Sequence, residues 1–409
     1  MSYVLCAATV VTPDAVLSPG YVGVRDAVIT SVGEGAPGNG VPGAVIDLGA
    51  RIVAPGYFDV HVHGGDGAQV NGEDVADVVV SLEQMARFHA RYGTTSILAT
   101  TVSDTPERLR TTVEGAAEVV KAGGVAGGST VRGIHLEGPW IARARMGAHH
   151  PDAIRLPDVA ELASLVAASG GCIRMVTTAP ELAGSSQLIA AARQAGITVA
   201  IGHTEADYET TLNAIEAGAR HATHLFNAMP PPHHRRPGAV TALLLDDRVT
   251  LEVVADLEHV HPAVLALAAR CAPRRIVAVS DAVPAAGLEP GTYEIGRLQV
   301  SVAAGRVSLA SDPSTLAGSV LTMDAAVRHL VGVVGMPLDA AVASASATPA
   351  WAAGLGDSGL GHLRAEAPAD LVVLEPDLSV AATIVAGLPV YDPVGCVSTA
   401  GDARRGSAG

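Results

Sequence analysis

Two histidines one residue apart are the first residues in this sequence whose types and spacing suit chemistry. His61 and His63 end a run of β-favouring residues, and Gly64 follows them. Side chains at positions i and i+2 of a strand lie on one face, about 6–7 Å apart along the strand, so these imidazoles could share a metal ion. The pattern is short, and the alternative is two unrelated histidines on a polar strand face.

The elements that must position this pair change in character along the chain. Residues 1–54 contain short strands and turns, whereas strand-like runs alternate with helical stretches from 55 to 348. This alternation predicts an α/β fold, a (β/α)8 barrel of the TIM type, with a doubly wound sheet as the alternative. Strands return at 349–394 and are predicted to join the N-terminal strands in a small β-sandwich. Residues 395–409 are predicted to be a flexible tail.

Eight barrel strands are predicted, with helices between them. The strands are Tyr57–Gly64, Thr94–Thr100, Val131–Glu137, Ile173–Thr178, Ile197–His203, His221–Asn227, Leu251–Asp256 and Arg275–Asp281. The helices include Asp74–Arg91, Pro106–Lys121, Asp158–Ala168, Ser185–Gln194 and Asp207–Ala217, and a last helix is expected after the eighth strand, around Ser319–Val334.

The carboxyl ends of these strands carry a set of metal-competent side chains. Barrel active sites lie at this end of the strands. Five predicted strands end in such residues, which are His61, His63, Glu137, His203, His224 and Asp281. Nitrogen and oxygen ligands of this kind suit zinc, iron or other divalent ions, so their convergence predicts a metal centre. His135 lies deeper in its strand, which favours a place in the core or behind the ligands.

Composition excludes several other classes of protein. The chain has 409 residues, 49% of them hydrophobic, and its net charge of −15 argues against nucleic-acid binding. A Schiff-base or carbamate mechanism would have to use the single lysine, Lys121, which precedes Gly123 at a predicted helix end. No uncharged apolar run reaches about 18 residues, so no membrane span is predicted.

Cysteine usage and the N-terminal sequence predict a cytoplasmic protein. The four cysteines are scattered and form no C-x-x-C pair, which fits a reducing compartment. They are Cys6, Cys172, Cys271 and Cys396. The first residues contain no basic segment followed by an apolar core, so no export signal is predicted.

With these motifs in place, the sequence resembles the amidohydrolase superfamily. Within it, the similarity is to the branch that deacetylates N-acetyl-D-glucosamine 6-phosphate. The resemblance runs nearly end to end, and residues 137–139 with 223–229 carry most of its specificity. The resembling segments are Pro55–Gly67, Gly133–His149, Ile201–Thr204, Thr223–Gly238, Ala255–Pro262, Val279–Gly287, Thr315–Met323 and Ala369–Leu374.

The resemblance implies an assignment of metal ligands. Many superfamily members use a carboxylated lysine of strand 4, but residues 175–181 contain none, and the deacetylase branch uses a strand-3 glutamate instead. One ion would then be held by Glu137, His203 and His224. A second would be held by His61, His63, Glu137 and Asp281. We therefore expect one or two divalent ions per subunit, with zinc favoured and iron or other ions as alternatives.

The resemblance also implies the catalytic roles and the reaction. The acetamide of N-acetyl-D-glucosamine 6-phosphate would be hydrolysed to D-glucosamine 6-phosphate and acetate, in amino-sugar catabolism. A bound metal lowers the pKa of its water and polarises the carbonyl. Asp281 would move the proton from that water to the leaving amine, and His149 would stabilise the oxyanion.

Substrate-binding residues follow from the same resemblance. They are His149, Asn227, Ala228, Arg235, His259 and Leu316. Family members bind substrate in homodimers, in which some of these groups reach across the interface. Two departures bear on phosphate recognition, since Arg236 replaces an acidic residue and Leu257 replaces a glycine. Glu258 beside a phosphate would be repulsive unless it turns away.

Two alternative functions remain open from the sequence. The first is a metal-dependent deacetylase of another N-acetyl amino sugar, either N-acetylgalactosamine 6-phosphate or an unphosphorylated sugar. The second is a catalytically inactive scaffold that only binds partners. Inactive relatives lose metal ligands, and this chain retains all of them, which argues against the second alternative.

Overall fold

A computed structural model, which describes residues 2–12, 15–38 and 40–397, contains a sheet of eight parallel strands. Neighbours in the sheet follow the order of the chain, and the backbone N–H of Asp281 donates to the carbonyl of His61 at 3.0 Å, which brings the eighth strand against the first. The predicted TIM-like barrel is therefore confirmed. Its strands, numbered barrel strands 1 to 8, are Tyr57–Val62, Thr94–Thr101, Thr130–Glu137, Ile173–Thr178, Thr198–Ile201, His221–Ala222, Thr250–Val254 and Ile276–Val279.

Several of the helices around the barrel begin at residues whose side chains cap them. Asp74 accepts a hydrogen bond from the backbone N–H of Asp77, and Thr105 accepts one from Arg108 with Pro106 in the first turn. Among the described residues the α-helices are Val75–Ala90, Pro106–Ala122, Val159–Ser169, Ser185–Gln194, Tyr208–Ala217, Gly238–Leu245, Pro262–Cys271, Met323–Gly332, Leu338–Ser344 and Ala347–Ala352. None of these described helices has the length and apolar character needed to cross a bilayer.

Both ends of the chain contribute to two further sheets that pack together. The first consists of Ser2–Ala7, Gly20–Arg25, Val28–Glu34 and Ala44–Asp47. The second consists of Thr9–Val11, Val16–Leu17, Ile52–Pro55, Leu371–Leu374, Val380–Val385 and Leu388–Tyr391. Buried residues of both sheets share one hydrophobic core, with Tyr3 and Leu5 from the N-terminal part and Leu371 and Ile384 from the C-terminal part. The expected sheets from both termini are thus confirmed.

Gly56 joins these sheets to the barrel. It lies between the strand Ile52–Pro55 and barrel strand 1, and its backbone N–H donates to the carbonyl of Asp370 at 2.9 Å. A Cβ at this position would lie 2.1 Å from Cγ2 of Thr95, so only glycine fits without displacement. The close approach fixes where the strand that carries His61 and His63 begins.

The predicted domain boundaries remain predictions, and their last segment is only partly described. Residues 395–397 of the expected tail lie within the described part, where Val397 is buried in the core of the two terminal sheets. The backbone N–H groups of Cys396 and Val397 donate to Asp392 at 2.8 and 3.0 Å. Residues 398–409 lie outside the described residues.

A small antiparallel sheet, which the sequence analysis did not predict, follows barrel strand 8. Its strands are Gly291–Ile295, Leu298–Ala303 and Arg306–Leu309. The helix expected around Ser319–Val334 follows this sheet as Met323–Gly332. The apolar face of the sheet packs on Val102 and Val283, which follow barrel strands 2 and 8. The sheet therefore covers part of the carboxyl end of the barrel.

Candidate metal and active site

The side chains predicted as metal ligands lie together at the carboxyl end of the barrel and are all buried. His61 lies in barrel strand 1 with His63 directly after it, and Glu137 ends strand 3. The other three follow strands 5, 6 and 8 in left-handed backbone, with φ of 47° for His203, 28° for His224 and 50° for Asp281. Such conformations are costly for residues other than glycine and are concentrated at functional sites.

Glu137 contacts two histidines at distances that suit a shared ion. Its Oε1 atom lies 3.0 Å from Nε2 of His203 and 3.0 Å from Nε2 of His224, and these nitrogens are 2.9 Å apart. Donor atoms at the corners of a tetrahedral zinc site are separated by about 3.3 Å, since Zn–N bonds are about 2.0–2.1 Å long. The three donors therefore fit around one metal ion.

A second set of donors adjoins the first through the same glutamate. Nε2 of His63 lies 3.2 Å from Oε2 of Glu137 and 3.4 Å from Oδ1 of Asp281. Nε2 of His61 lies 3.0 Å from Nε2 of His63 and 3.5 Å from Oδ1 of Asp281. These separations also match the edge of a metal polyhedron, so the residues present fit two positions that share Glu137.

The rings of three of these four histidines are oriented by acceptors on their outer nitrogens. Nδ1 of His61 lies 2.9 Å from Oε2 of Glu252, Nδ1 of His63 lies 3.1 Å from the carbonyl of Thr100, and Nδ1 of His203 lies 2.6 Å from the carbonyl of Arg145. A carbonyl or carboxylate accepts, so each Nδ1 carries the proton and each Nε2 lone pair points into the cluster. Facing nitrogens about 3 Å apart are accommodated by a proton or a metal ion between them.

Electrostatics at the cluster favour positive charge. Burial alone would lower the pKa of His63, but hydrogen bonds with Asp281 and Glu137 outweigh it and raise the pKa to about 9. Burial would raise the pKa of Glu137, but the charge of His61 and hydrogen bonds from the other histidines hold it well below its ordinary value. Among the described residues, the ion-pair partners of Glu137 and Asp281 are all histidines.

His149 lies in the same cluster but has the opposite tautomer. Its Nδ1 accepts the backbone N–H of Ser103 at 3.0 Å, and the hydroxyl of Ser103 lies 2.8 Å from the same atom. The ring proton is therefore on Nε2, which lies 3.3 Å from Oε2 of Glu137. His149 presents a hydrogen-bond donor to the site rather than a metal-binding lone pair, although its position also permits ligation.

Buried polar residues lie behind the predicted ligands, and two of them, Glu252 and Asp59, were not predicted from the sequence. Glu252 accepts from His61 at Oε2 and from His221 at Oε1, and Asp59 accepts from the backbone N–H groups of His61 and Ser280. His135 donates from Nδ1 to the carbonyl of Val60 at 3.0 Å, which agrees with a place behind the ligands. A glutamate inside the apolar run of residues 250–254 was the available signal for Glu252.

A cavity of about 410 Å³ opens onto this cluster. Four of the predicted substrate-binding residues line it beside His149, and these are Asn227, Ala228, His259 and Leu316. Nδ1 of His259 lies 2.6 Å from Oδ2 of Asp256. Burial alone would lower the pKa of His259, but its hydrogen bond with Asp256 and the charge of that residue give a net increase.

Arg235 is the predicted substrate-binding residue that the structure does not bring to the cavity of its own subunit. It is exposed, and its Nη1 atom lies 2.6 Å from Nε2 of the neighbouring His234. Glu258, which would repel a phosphate, has a half-exposed side chain and lies 3.9 Å from Arg306. Its carboxylate is not among the cavity-lining groups, so the expected repulsion is absent from this arrangement.

Comparison with known proteins identifies the class to which this fold and site belong. The model of the amidohydrolase family matches residues 52–390, and the chain belongs to that family. It is 39% identical over 353 residues to the N-acetylglucosamine-6-phosphate deacetylase of Homo sapiens, covering 84% of this chain and 85% of the relative. It is 37% identical over 380 residues to the N-acetylgalactosamine-6-phosphate deacetylase of Escherichia coli O157:H7, covering 93% and 97%.

A solved structure extends the similarity to the whole architecture. A point mutant of N-acetyl-D-glucosamine-6-phosphate deacetylase from Mycobacterium smegmatis, in complex with N-acetyl-D-glucosamine-6-phosphate, superposes with a TM-score of 0.88 at 39% identity. The match covers 95% of this chain and 99% of the other.

Proposed function

We propose that this protein hydrolyses the acetamide of N-acetyl-D-glucosamine 6-phosphate to D-glucosamine 6-phosphate and acetate. The observation that carries the proposal is the meeting of the histidine–carboxylate cluster, the Nε2–H of His149 and the carboxylate of Asp281 in one cavity. The similarity to the human and mycobacterial deacetylases supports the choice of substrate.

The residues present fit one or two divalent metal ions. Glu137, His203 and His224 would hold one ion, and His61, His63, Glu137 and Asp281 would hold the other. Zinc is the favoured ion, since imidazole and carboxylate donors suit it, with iron or other divalent ions as alternatives. When bound, such an ion supplies Lewis-acid activation of the amide carbonyl and of water.

Asp281 is placed to move protons during the reaction. Burial would raise the pKa of its carboxyl group, but the hydrogen bond and charges of His63, His61 and His259 lower it overall, so the carboxylate is ionised at neutral pH. An ionised carboxylate takes a proton from water and returns it to the leaving amine nitrogen. The carbonyl of Asp281 accepts from the backbone N–H of Ser319 at 2.8 Å, which holds the residue in position.

His149 is placed to stabilise the charge that develops on the amide oxygen. The backbone N–H of Ser103 fixes the proton on Nε2, and the buried ring cannot turn without losing that bond. A preorganised donor in a water-poor site stabilises a tetrahedral oxyanion far more than water does. Asn227, Ala228, His259 and Leu316 would position the sugar phosphate in the cavity.

An acetate-release assay tests the activity. The metal-loaded protein is assayed with N-acetylglucosamine 6-phosphate, N-acetylgalactosamine 6-phosphate and unphosphorylated N-acetylglucosamine, with chelator-treated protein as the blank. We expect kcat/KM to be highest for N-acetylglucosamine 6-phosphate and activity to depend on metal. No acetate from any of these sugars would refute the proposal.

N-acetylgalactosamine 6-phosphate is the second candidate substrate. The Escherichia coli relative with that activity in its name matches 93% of this chain, which is more than the human relative matches. The two sugars differ only in the configuration of one hydroxyl. The ratio of their kcat/KM values in the same assay decides between them.

We further propose that the protein acts as a homodimer in the cytoplasm. Arg235 lies outside its own cavity, and we place its contact with the 6-phosphate in the site of a partner subunit. The four cysteines are free, which is consistent with a reducing compartment.

Mixed dimers test whether Arg235 acts across an interface. One subunit carries Arg235→Ala and the other Asp281→Asn, and each homodimer alone is expected to be weakly active. If Arg235 serves the partner, the mixed dimer has one complete site, and activity rises to about half that of wild type. If Arg235 serves its own subunit, mixing gives no gain.

A further inference from the structure

Glu252 connects three strands of the barrel beneath the metal site. It lies in barrel strand 7 and is fully buried. Its Oε2 atom lies 2.9 Å from Nδ1 of His61 and 3.0 Å from the backbone nitrogen of His224, while Oε1 lies 2.7 Å from Nε2 of His221. The carboxylate thus contacts the ring of a ligand of one metal position and the backbone of a ligand of the other.

On its far side, this carboxylate contacts a buried histidine ring that a threonine hydroxyl contacts in turn. Nδ1 of His221 lies 2.6 Å from the hydroxyl of Thr250, and this pair fixes the orientation of the His221 ring beneath Glu252. The four side chains of this hydrogen-bonded series are all buried, and they are those of Thr250, His221, Glu252 and His61. The carboxylate therefore cannot turn to water, and its orientation toward His61 is fixed.

Charge balance gives Glu252 a consequence for metal content. Together with Glu137 and Asp281 it places three negative charges at one end of the barrel, and its ion-pair partners among the described residues are His61 and His221. With neutral ligand histidines, one divalent ion would leave a net negative charge in a buried site, which is unfavourable. Two divalent ions would offset all three carboxylates, with one positive charge in excess.

We propose that Glu252 is the positioning residue that lets the His61–His63 position hold a second divalent metal ion. It fixes the proton of His61 on Nδ1, directs the Nε2 lone pair inward, and supplies the charge that favours a second cation. This inference rests on the metal-dependent function proposed above. Outer carboxylates that bind ligand histidines typically change metal affinity by about 10–100-fold.

Asp59 provides a matched control within the same barrel. It is also fully buried, yet it accepts hydrogen bonds from the backbone N–H groups of His61 and Ser280 and from the hydroxyl of Ser280, and from no ligand ring nitrogen. Asp59→Asn and Glu252→Gln each replace a carboxylate by an amide of nearly the same size, and each removes one ionisable group. Only the second removes the carboxylate from a ligand ring.

The test measures metal binding without substrate. Metal-free wild type, Glu252→Gln and Asp59→Asn are titrated with Co²⁺, followed by the visible absorption of each equivalent and by elemental analysis. We expect two ions per subunit in wild type and Asp59→Asn. In Glu252→Gln the first ion should bind as in wild type, and the second about 10–100-fold more weakly.

Several outcomes would overturn the inference. They are a single ion in wild type, an unchanged second ion in Glu252→Gln, or equal weakening in Asp59→Asn. If Glu252→Gln does not fold, Glu252→Asp takes its place. The shorter side chain keeps the charge but cannot reach His61 and His221 together. Unchanged binding of the second ion by Glu252→Asp would also overturn the inference. Acetate release by wild type is measured separately, so failure of the proposed function is distinguishable from failure of this role.

Discussion

Two sets of buried histidines in this protein differ in their charge preference, although both are removed from water. At the barrel mouth, nearby carboxylates raise the pKa of His61 well above its ordinary value and that of His63 to about 9, against the effect of burial. Burial lowers the pKa of His89 to about 4 and that of His135 to about 3. The rings of His61 and His135 are only 5.0 Å apart.

The difference lies in the partners of each ring. His89 contacts the carbonyl of Gly64 at 2.9 Å, and His135 contacts a carbonyl and the hydroxyl of Thr177. Neutral partners do not offset the desolvation of an imidazolium, whereas carboxylates do. Burial therefore does not identify a functional histidine, but a buried carboxylate beside it marks a place where positive charge is required.

The largest expected effect comes from removing a carboxylate at the mouth. Asp281→Asn keeps the size of the side chain but cannot accept a proton, so kcat should fall by about 10²–10⁴-fold, the usual contribution of general acid–base catalysis. Steady-state kinetics measure the loss, while circular dichroism and metal analysis check the fold and the ion at Glu137. A variant that kept more than about a tenth of wild-type kcat would exclude this role.

His149 lies within the cluster at the barrel mouth, and its substitution tests whether it donates a hydrogen bond or binds metal. Its proton is on Nε2, so His149→Ala should lower kcat by about 10²–10³-fold, as for loss of an oxyanion donor, without changing metal content. Parallel measurement of kcat and of metal per subunit separates the two roles. Loss of an ion in this variant would place His149 among the ligands instead.

The lowered pKa of a buried histidine predicts that the stability of the folded protein falls as the pH falls. Because the pKa of His89 is about 4 in the folded protein and about 6.5 in the unfolded chain, unfolding takes up a proton below pH 6.5. Its contribution to stability is therefore constant above that pH and is lost as pH falls toward 4, by up to about 3 kcal/mol. Denaturant unfolding of metal-free protein from pH 7 to 4 measures this.

His89→Gln is the control for that pH dependence. Glutamine does not titrate, and its amide can still donate to the carbonyl of Gly64. The difference between the two stability curves isolates His89, because every other titrating group is shared. Parallel curves for the two proteins would show that the histidine is not held neutral in the fold.

The strand-end residues of the site were predictable because their positions follow from local patterns. Alternation of strands and helices predicts the barrel, and barrel geometry then brings strand ends together, whatever the exact strand limits. His203, His224 and Asp281 were expected within strands but lie just after them, so they are still at the carboxyl end of the barrel. Their roles as ligands remain predictions.

The residues that the sequence did not indicate depend on register and on loop paths. Glu252 meets His61 and His221 only because strands 7, 6 and 1 pack side chains into one barrel interior, and no local pattern encodes that. The position of Arg235 away from the cavity depends on the path of residues 230–237. The small sheet at 291–309 did have a signal, since alternating residues flank the turn at Ala304 and Gly305, but no strand was predicted there.

His135→Gln should give the smallest effect and is the sharpest test of the comparison. His135 lies close enough to His61 and Glu252 to complete a possible metal site with them. However, its Nδ1 donates to the carbonyl of Val60, and its Nε2 accepts from Thr177, so no lone pair is free for an ion. A glutamine amide retains a donor and an acceptor there. We expect wild-type metal content and a change in kcat below about tenfold, whereas His61→Gln should lose the second ion. If His135→Gln also lost an ion, His135 would belong with the metal ligands. Neutral hydrogen-bond partners would then not separate the two sets of buried histidines.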